Sequence, residues 1–254
     1  MTNLAPSRAE QEIDRLLGVF PRGFDLSLDR IARLLDDLGR PQDGMPPVIH
    51  VAGTNGKGSA TAFARALLEA QGLAVHVHTS PHLVRWHERY RIGVKGAPGR
   101  LVSDDKLVEA VLKAERVNAG QPITVFELLT AVTFILFAEN PADAAVIEVG
   151  LGGMYDATNV LQHPAASLIM PIAMDHQQWL GQTIEEIALA KAGIIKRGVP
   201  AVFGRQDDDA ALGVLVDRAE RLEAPYFVYG QDYLAHEENG RLIYQDDGGL
   251  MDLP

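Results

Sequence analysis

Cysteine is absent from the 254 residues. That excludes disulfides, thiolate catalysis and cysteine-based zinc sites, and it fits a reducing cytosol. Long apolar runs are also missing. The longest, Leu128 to Ala138, is about half of the ~20 residues needed to span a bilayer, so it reads as a buried helix. Met1 to Glu12 is polar and lacks the apolar centre of a signal peptide. Positive charge is in deficit: the net charge of −11 argues against a protein that grips nucleic-acid backbones, whose footprint is basic. No internal repeat or low-complexity tract is visible. A soluble, cytoplasmic protein with no membrane or nucleic-acid partner is expected, and a monomer. With 47% apolar and 22% charged residues, the chain can bury one large α/β domain, or one domain plus an appendage.

Within that ordinary composition, residues 48–59 stand apart: Val-Ile-His-Val-Ala-Gly-Thr-Asn-Gly-Lys-Gly-Ser. A β-branched run, Val48 to Ala52, feeds a glycine-dense turn. The turn opens into an amphipathic segment with Phe63, Leu67 and Leu68 on one face. Strand, glycine loop and helix in that order form the context of a phosphate-binding loop. Gly53, Gly56 and Gly58, with Thr54 and Asn55, let backbone N–H groups point at an anion. The helix N-terminus adds partial positive charge. Lys57 would neutralise outer phosphates, and the Ser59 hydroxyl would touch a metal or phosphate oxygen. The spacing departs from the usual P-loop, because two residues separate Gly53 from Gly56 and Gly58 intervenes between Lys57 and Ser59. A glycine-rich turn with an exposed lysine is the plainer alternative.

Segments alternate in the βαβ manner. Helices are expected over Ile13–Leu17, Leu28–Leu38 (capped by Ser27 and stopped by Gly39), Ser103–Val117, Thr124–Asn140, Ile184–Ile195 and Ala210–Glu223. Strands are expected over Val48–Ala52, Leu73–Val77, Ala144–Val149, Ala166–Ile172 and Ala201–Phe203. After that the pattern changes to short strands, Tyr226–Tyr229, Tyr233–His236 and Leu242–Tyr244, with Asn239-Gly240 as a hairpin signal. The fold class is α/β: a P-loop-type, mostly parallel sheet with helices on both faces, plus a short antiparallel region near the C-terminus. An ending inside a strand–turn pattern reads as a truncation.

Four constellations could carry chemistry. Thr79-Ser80-Pro81-His82, followed by Arg85, Glu88, Arg89 and Arg91, lies at the end of a strand, where doubly wound sheets bind ligands; a Ser-Pro turn with solvated charges reads equally well. Glu148 ends an apolar strand beside Gly150, Gly152 and Gly153. A carboxylate there needs a partner, and in P-loop enzymes the position holds Mg²⁺. Asp175-His176-Gln177 follows another strand, although histidine is a poor Mg²⁺ ligand and suits a turn as well. Lys191 interrupts an apolar helix, where its pKa would fall, or where it would snorkel to the surface. His76, His78, His82 and His87 cluster in sequence, but no third ligand has zinc-site spacing.

Together these segments resemble the dihydrofolate synthase/folylpolyglutamate synthase family of the Mur ligase superfamily. The resemblance covers nearly the whole chain. It rests on His50 to Ser59, Thr79 to His82, Thr124-Val125-Phe126-Glu127, Glu148 to Gly153, Asp156-Ala-Thr-Asn159, Asp175-His176-Gln177 with Leu180-Gly181, and Lys191 to Lys196. It implies an ATP-dependent ligase that phosphorylates a carboxylate and lets the amine of L-glutamate displace the phosphate. The acceptor is dihydropteroate or the γ-carboxylate of a folate, and the parent enzyme is expected to be bifunctional in the bacterial manner. Lys57, Glu148, His176 and Lys191 take the catalytic positions. Ser80 and Glu148 match a first Mg²⁺ site. Glu148, His176 and Lys191 match a second, where the family's lysine is carbamylated. Thr124, Phe126 and Asp156 match the pterin site.

Met154 and Tyr155 stand where the family has arginine and a bulky apolar residue, and Ala190 where it has glutamate. Residues 1–254 are expected to form one Mur-ligase-like ATPase domain, with a helical part over 1–40 and a short-strand region over 226–254 that leads to an absent C-terminal domain. A Mur-type peptide ligase and a nucleotide-binding module without turnover are the rival readings.

Overall fold

In the computed structural model, which describes residues 5–20 and 27–253, the β-branched runs become the centre of an eight-stranded sheet. β1 (Val48–Ala52), β2 (Val75–His78), β5 (Ala144–Glu148), β6 (Ala166–Ile169), β7 (Ala201–Phe203) and β8 (Tyr226–Val228) are mutually parallel. β3 (Tyr90–Val94) and β4 (Ala97–Leu101) add an antiparallel edge, giving the order β4-β3-β2-β5-β1-β6-β7-β8. Alternation along β1 decides which helix each side chain meets. Val48 joins the core under α5 (Val125–Ala138), together with Ala145, Ile147, Phe134 and Phe137. Val51 faces the other way and packs with Val75, Val77, Val146 and α3 (Lys57–Ala70). Farther along the α5 face, Ala52 and Ile169 meet Ile187 and Ala192 of α7 (Ile184–Ala192). Strands covered on both faces explain why their sequences run apolar without a break.

α3 meets the sheet through Ala60, Ala64 and Leu68. Phe63 and Leu67 are exposed, at 71% and 66%, so the face they mark is not the packed one; small residues let this helix lie close to the strands. α1 (Arg8–Val19), α2 (Asp29–Asp37) and α4 (Asp104–Asn118) complete the layer outside α5. Ser27 lies one residue outside the N-cap of α2, Leu28, and accepts a hydrogen bond from Asp29 N. Gly39 follows the end of α2 with φ +80°.

The β3–β4 hairpin was not expected from the sequence. Its Arg, Lys, Gly and Pro residues mask a strand, yet a Cβ on Gly93 would meet Val75 N at 2.5 Å, which makes glycine the residue for that close pairing. Tyr226–Val228 is a correction of another kind: it continues the parallel sheet beside β7 and does not open the antiparallel region. That region is β9 (Tyr233–Glu238), β10 (Arg241–Asp246) and an unexpected β11 (Gly249–Leu253). Asn239 and Gly240 both take positive φ at the β9–β10 turn, the geometry a two-residue hairpin favours. Among the described residues no helix is long and apolar enough to cross a membrane.

A buried ion pair locks the helical layer. Glu127 accepts from Thr124 N at 2.8 Å in a capping box at the start of α5. Its two oxygens also take Arg30 of α2, each at 3.0 Å. Removing the Glu127 carboxylate breaks both of these bonds and the capping box at once, in a poorly solvated place. Glu127→Ala is expected to cost about 3 kcal/mol in urea unfolding, whereas Glu115→Ala, which breaks the more exposed pair with Arg15, costs about 1 kcal/mol or less.

Candidate active site

β1 ends at Gly53, whose φ of +146° and backbone contact with Met170 leave no room for a side chain: a Cβ would sit 2.6 Å from that of Met170. The next residues are stapled to the segment after β6. Thr54 N and Asn55 N donate to Pro171 O at 2.9 and 3.2 Å. Thr54 Oγ1 donates to Ala173 O and accepts from Ala173 N, both at 3.1 Å. Thr54 and Asn55 thus turn their N–H groups to the protein, which narrows the expected Gly53–Ser59 cradle to its second half. Gly56, with φ +80°, opens α3, and no side chain caps that helix. The N–H groups of Lys57, Gly58 and Ser59 have no intrahelical acceptor and carry the positive end of the helix dipole. Lys57 Nζ reaches back to Thr54 O at 3.4 Å. Asn55 and Ser59 are exposed at the mouth.

Glu148 ends β5 directly beside β1, opposite Val51. It is buried, and Ser80 N donates to its Oε2 at 3.3 Å. A Cβ on Gly58 would lie 3.8 Å from that same oxygen, so the start of α3 comes close to the carboxylate. Burial pushes the Glu148 carboxyl up, while the charges of Lys57 and Arg89 and the Ser80 N–H oppose that shift. Arg89 had no separate role in the sequence reading. Here its Nε donates to His82 Nδ1 at 2.9 Å and its guanidinium lies 4.5 Å over Trp86, supporting a cation next to Glu148. Only the fold brings Arg89 and Glu148 together, and nothing in their local sequence signals it.

Lys191 lies in the last turn of α7, buried, with Nζ donating to Gly53 O at 3.0 Å. Burial pushes its pKa down to about 8, the Lys57 charge acts in the same direction, and Asp175 opposes both. His176 is exposed, takes φ +50° at the start of the short helix α6 (Gln177–Leu180), and has Nε2 3.5 Å from Asp175 Oδ2. Gly53, Thr54, Lys57, Asp175, His176 and Lys191 line one small cleft, closed by residues 149–152. Among the described residues no three histidine, aspartate or glutamate side chains cluster to hold a metal.

The clustered histidines disperse to separate partners. His76 bonds Asn140 O and stacks on Phe137, His78 bonds Thr133 Oγ1, and His87 meets Asp104. Phe126 and Asp156 do meet, across Gly150, where a Cβ would strike Phe126 Cζ at 2.4 Å and Asp156 Oδ2 at 3.1 Å. The Asp156 carboxylate already accepts from Leu151 N, Thr158 N and Thr158 Oγ1, so it fastens its own loop and does not stand open to a heterocycle. Thr124 likewise gives its hydroxyl to Glu127 Oε2 at 2.9 Å. Beside the cleft, Met154, Tyr155, Trp179, Leu180, Leu189 and Ala190 border an open, apolar recess.

Residues 51–253 match the family described as Mur ligase middle domain. The chain belongs to that family. It is 40% identical over 232 residues to the folylpolyglutamate synthase of Lacticaseibacillus casei, covering 88% of this chain and 54% of that protein. It is 41% identical over 212 residues to the dihydrofolate synthase/folylpolyglutamate synthase of Bacillus subtilis, covering 80% and 47%. The structure of E. coli FolC in complex with DHPP and ADP superposes with a TM-score of 0.88 at 30% identity, covering 100% of this chain and 59% of that one. This Mur ligase middle domain therefore spans about half the length of the curated relatives it matches.

Two outcomes follow from the cleft. Gly53→Ala forces a side chain into Met170 and a φ that alanine resists, and titration with a fluorescent ATP analogue is expected to show at least tenfold weaker binding. Between about pH 8 and 10.5, the folded and ordinary pKa values of Lys191, the folded chain binds fewer protons than the unfolded one. Stability therefore rises with pH in that window, by at most ~1.4 kcal/mol per pH unit. Urea unfolding in CO₂-free buffer will show that rise, and Lys191→Met will lack it.

Proposed function

We propose that this Mur ligase middle domain binds ATP and serves an acid–amino-acid ligase that adds L-glutamate to dihydropteroate, to the γ-carboxylate of folates, or to both. The carrying observation is the convergence on one cleft of Lys57 and the uncapped start of α3, with Asp175, His176 and Lys191 on the facing wall. The names of the matched synthases support the substrate class.

In this reading the acceptor carboxylate attacks the γ-phosphorus of ATP and ADP leaves. The glutamate amine then attacks the acyl carbon, phosphate departs, and the amine proton passes to water. The N–H groups of Lys57, Gly58 and Ser59 hold the phosphates, and Lys57 Nζ balances charge that grows on the transferring phosphoryl group. Phe126, half-buried beside Gly150, offers a face for a flat ring, and Thr124 and Asp156 shape the wall behind it.

The residues fit Mg²⁺ as oxygen donors. Glu148 and Ser80 are adjacent at the carboxyl ends of neighbouring strands, and Glu148 is a buried carboxylate with a single backbone donor from that neighbour. These two would hold one ion. Glu148, His176 and Lys191 would hold a second ion only once the lysine carries an oxygen ligand. A neutral Lys191 amine adds CO₂ to form the carbamate with loss of a proton, and burial favours the neutral amine. When bound, the ions supply charge neutralisation at the phosphates.

Purified chain with ATP, Mg²⁺, dihydropteroate or folate, and L-glutamate is expected to release phosphate only when acceptor and amine are both present. Lys57→Ala and Glu148→Gln are each expected to lower the rate about 100-fold or more. ATP binding with no substrate-dependent phosphate release would instead favour a nucleotide-binding module. Carbamylation is checked separately: ¹³C NMR in ¹³C-bicarbonate should give a carbamate resonance that Lys191→Met abolishes.

A further inference from the structure

His50 lies in the middle of β1, fully buried in an otherwise apolar strand, and nucleotide binding gives it no task. Its Nε2 lies 2.9 Å from Thr158 Oγ1. That hydroxyl has one proton, which it donates to Asp156 Oδ1 at 2.5 Å. Thr158 must therefore accept from His50, and this fixes the imidazole as the Nε2–H tautomer. Its Nδ1 is left bare, buried and without a hydrogen-bond partner. Burial holds the ring neutral, with a pKa pushed down to about 3.

The chain of bonds continues beyond Asp156. Asp156 Oδ2 takes Leu151 N at 2.9 Å, which holds the loop that closes the cleft. One residue past Thr158, Asn159 Nδ2 donates to Met154 O at 2.9 Å and to Gly193 O at 3.2 Å. Gly193 caps α7, two positions after Lys191. A single short segment, 156–159, thus ties together the strand that enters the phosphate loop, the loop after Glu148 and the helix that carries Lys191.

We propose that His50 is a positioning residue: through Thr158 it orients Asp156, which sets the Gly150–Leu151 loop against the nucleotide cleft. The link to nucleotide binding rests on the function proposed above; the link to loop position does not.

Thr158→Val keeps the volume and deletes the hydroxyl, Thr158→Ser keeps the hydroxyl, and His50→Leu removes the donor at the other end. Hydrogen exchange on the full chain reads the loop directly. Relative to the Val146 amide in the core, exchange at the Leu151 amide should rise at least tenfold in Thr158→Val and in His50→Leu, and return in Thr158→Ser. Titration with a fluorescent ATP analogue should weaken at least fivefold in the first two variants and recover in the third. ¹⁵N NMR should show His50 as Nε2–H in the unaltered chain. Equal loss of protection at Leu151 and Val146 would mean a purely global effect and would overturn the proposal, as would an Nδ1–H tautomer. A chain that binds no nucleotide yet loses Leu151 protection selectively would sink the nucleotide reading and uphold the positioning of the loop.

Discussion

The parallel register at the centre of the sheet is the constraint on which the rest depends. Glu148 lies opposite Val51, and Ala52 lies opposite Ile169, so three strands finish at nearly the same height. The segments that follow, the phosphate loop, the 149–153 turn and residues 170–176, must share the space above that edge. They approach so closely that Gly53 and Gly150 admit no Cβ. Shifting β1 by one residue would exchange the faces that Val51 and His50 occupy and disrupt both cores. The cleft is in this sense a property of the sheet, and the loops supply its chemistry.

Inside that edge the electrostatics differ from those of the chain as a whole. The net charge is −11, yet Glu148 is acted on by Lys57 and Arg89, and Lys57 also acts on Lys191. A like charge close to a buried lysine depresses its pKa for the same reason that desolvation does: both disfavour the protonated amine. An anion entering the cleft would relieve this repulsion, so a polyphosphate gains from backbone dipoles and from local cations together. Long-range repulsion from distant carboxylates is screened within about 10 Å at ordinary salt, which is why overall acidity does not oppose a nucleotide here.

Much of this was legible in the sequence for a physical reason. Strands buried on both faces read as apolar runs, and capped helices carry their caps beside them. The helix starts at Ser103 and Thr124 and the whole of β7 fall where pattern reasoning places them. The β3–β4 hairpin was hidden because an edge strand tolerates Arg, Gly and Pro, and the strand expected at Tyr226 gave no sign of its pairing because three residues cannot announce a parallel partner. At the site, Lys57, Glu148 and Lys191 could be singled out by a charge sitting in apolar or glycine-rich surroundings. Arg89 could not, since its partner is set by tertiary structure. Asp156 was legible as important and illegible in its task, because hydrogen bonds to Leu151 N and Thr158 are invisible until the loop is folded.

The same distinction bears on Met154 and Ala190, which depart from the residues expected there of a folate ligase. Exchanging the expected arginine and glutamate would endanger the loop if the side chains at 154 and 190 held it in place. Here Met154 N donates to Ala190 O at 2.7 Å, Asn159 holds Met154 O, and a Cβ on Gly193 would collide with the Met154 backbone. At positions 154 and 190 themselves these contacts use only main-chain atoms, so they survive any residue there that keeps the Met154 N–H and leaves φ and ψ undisturbed. What the two substitutions alter is the lining of the adjoining recess, which is apolar where Met154, Leu189 and Ala190 meet. The position of the cleft and the character of its neighbouring surface are thus set by different atoms, and only the second is free to change with these side chains.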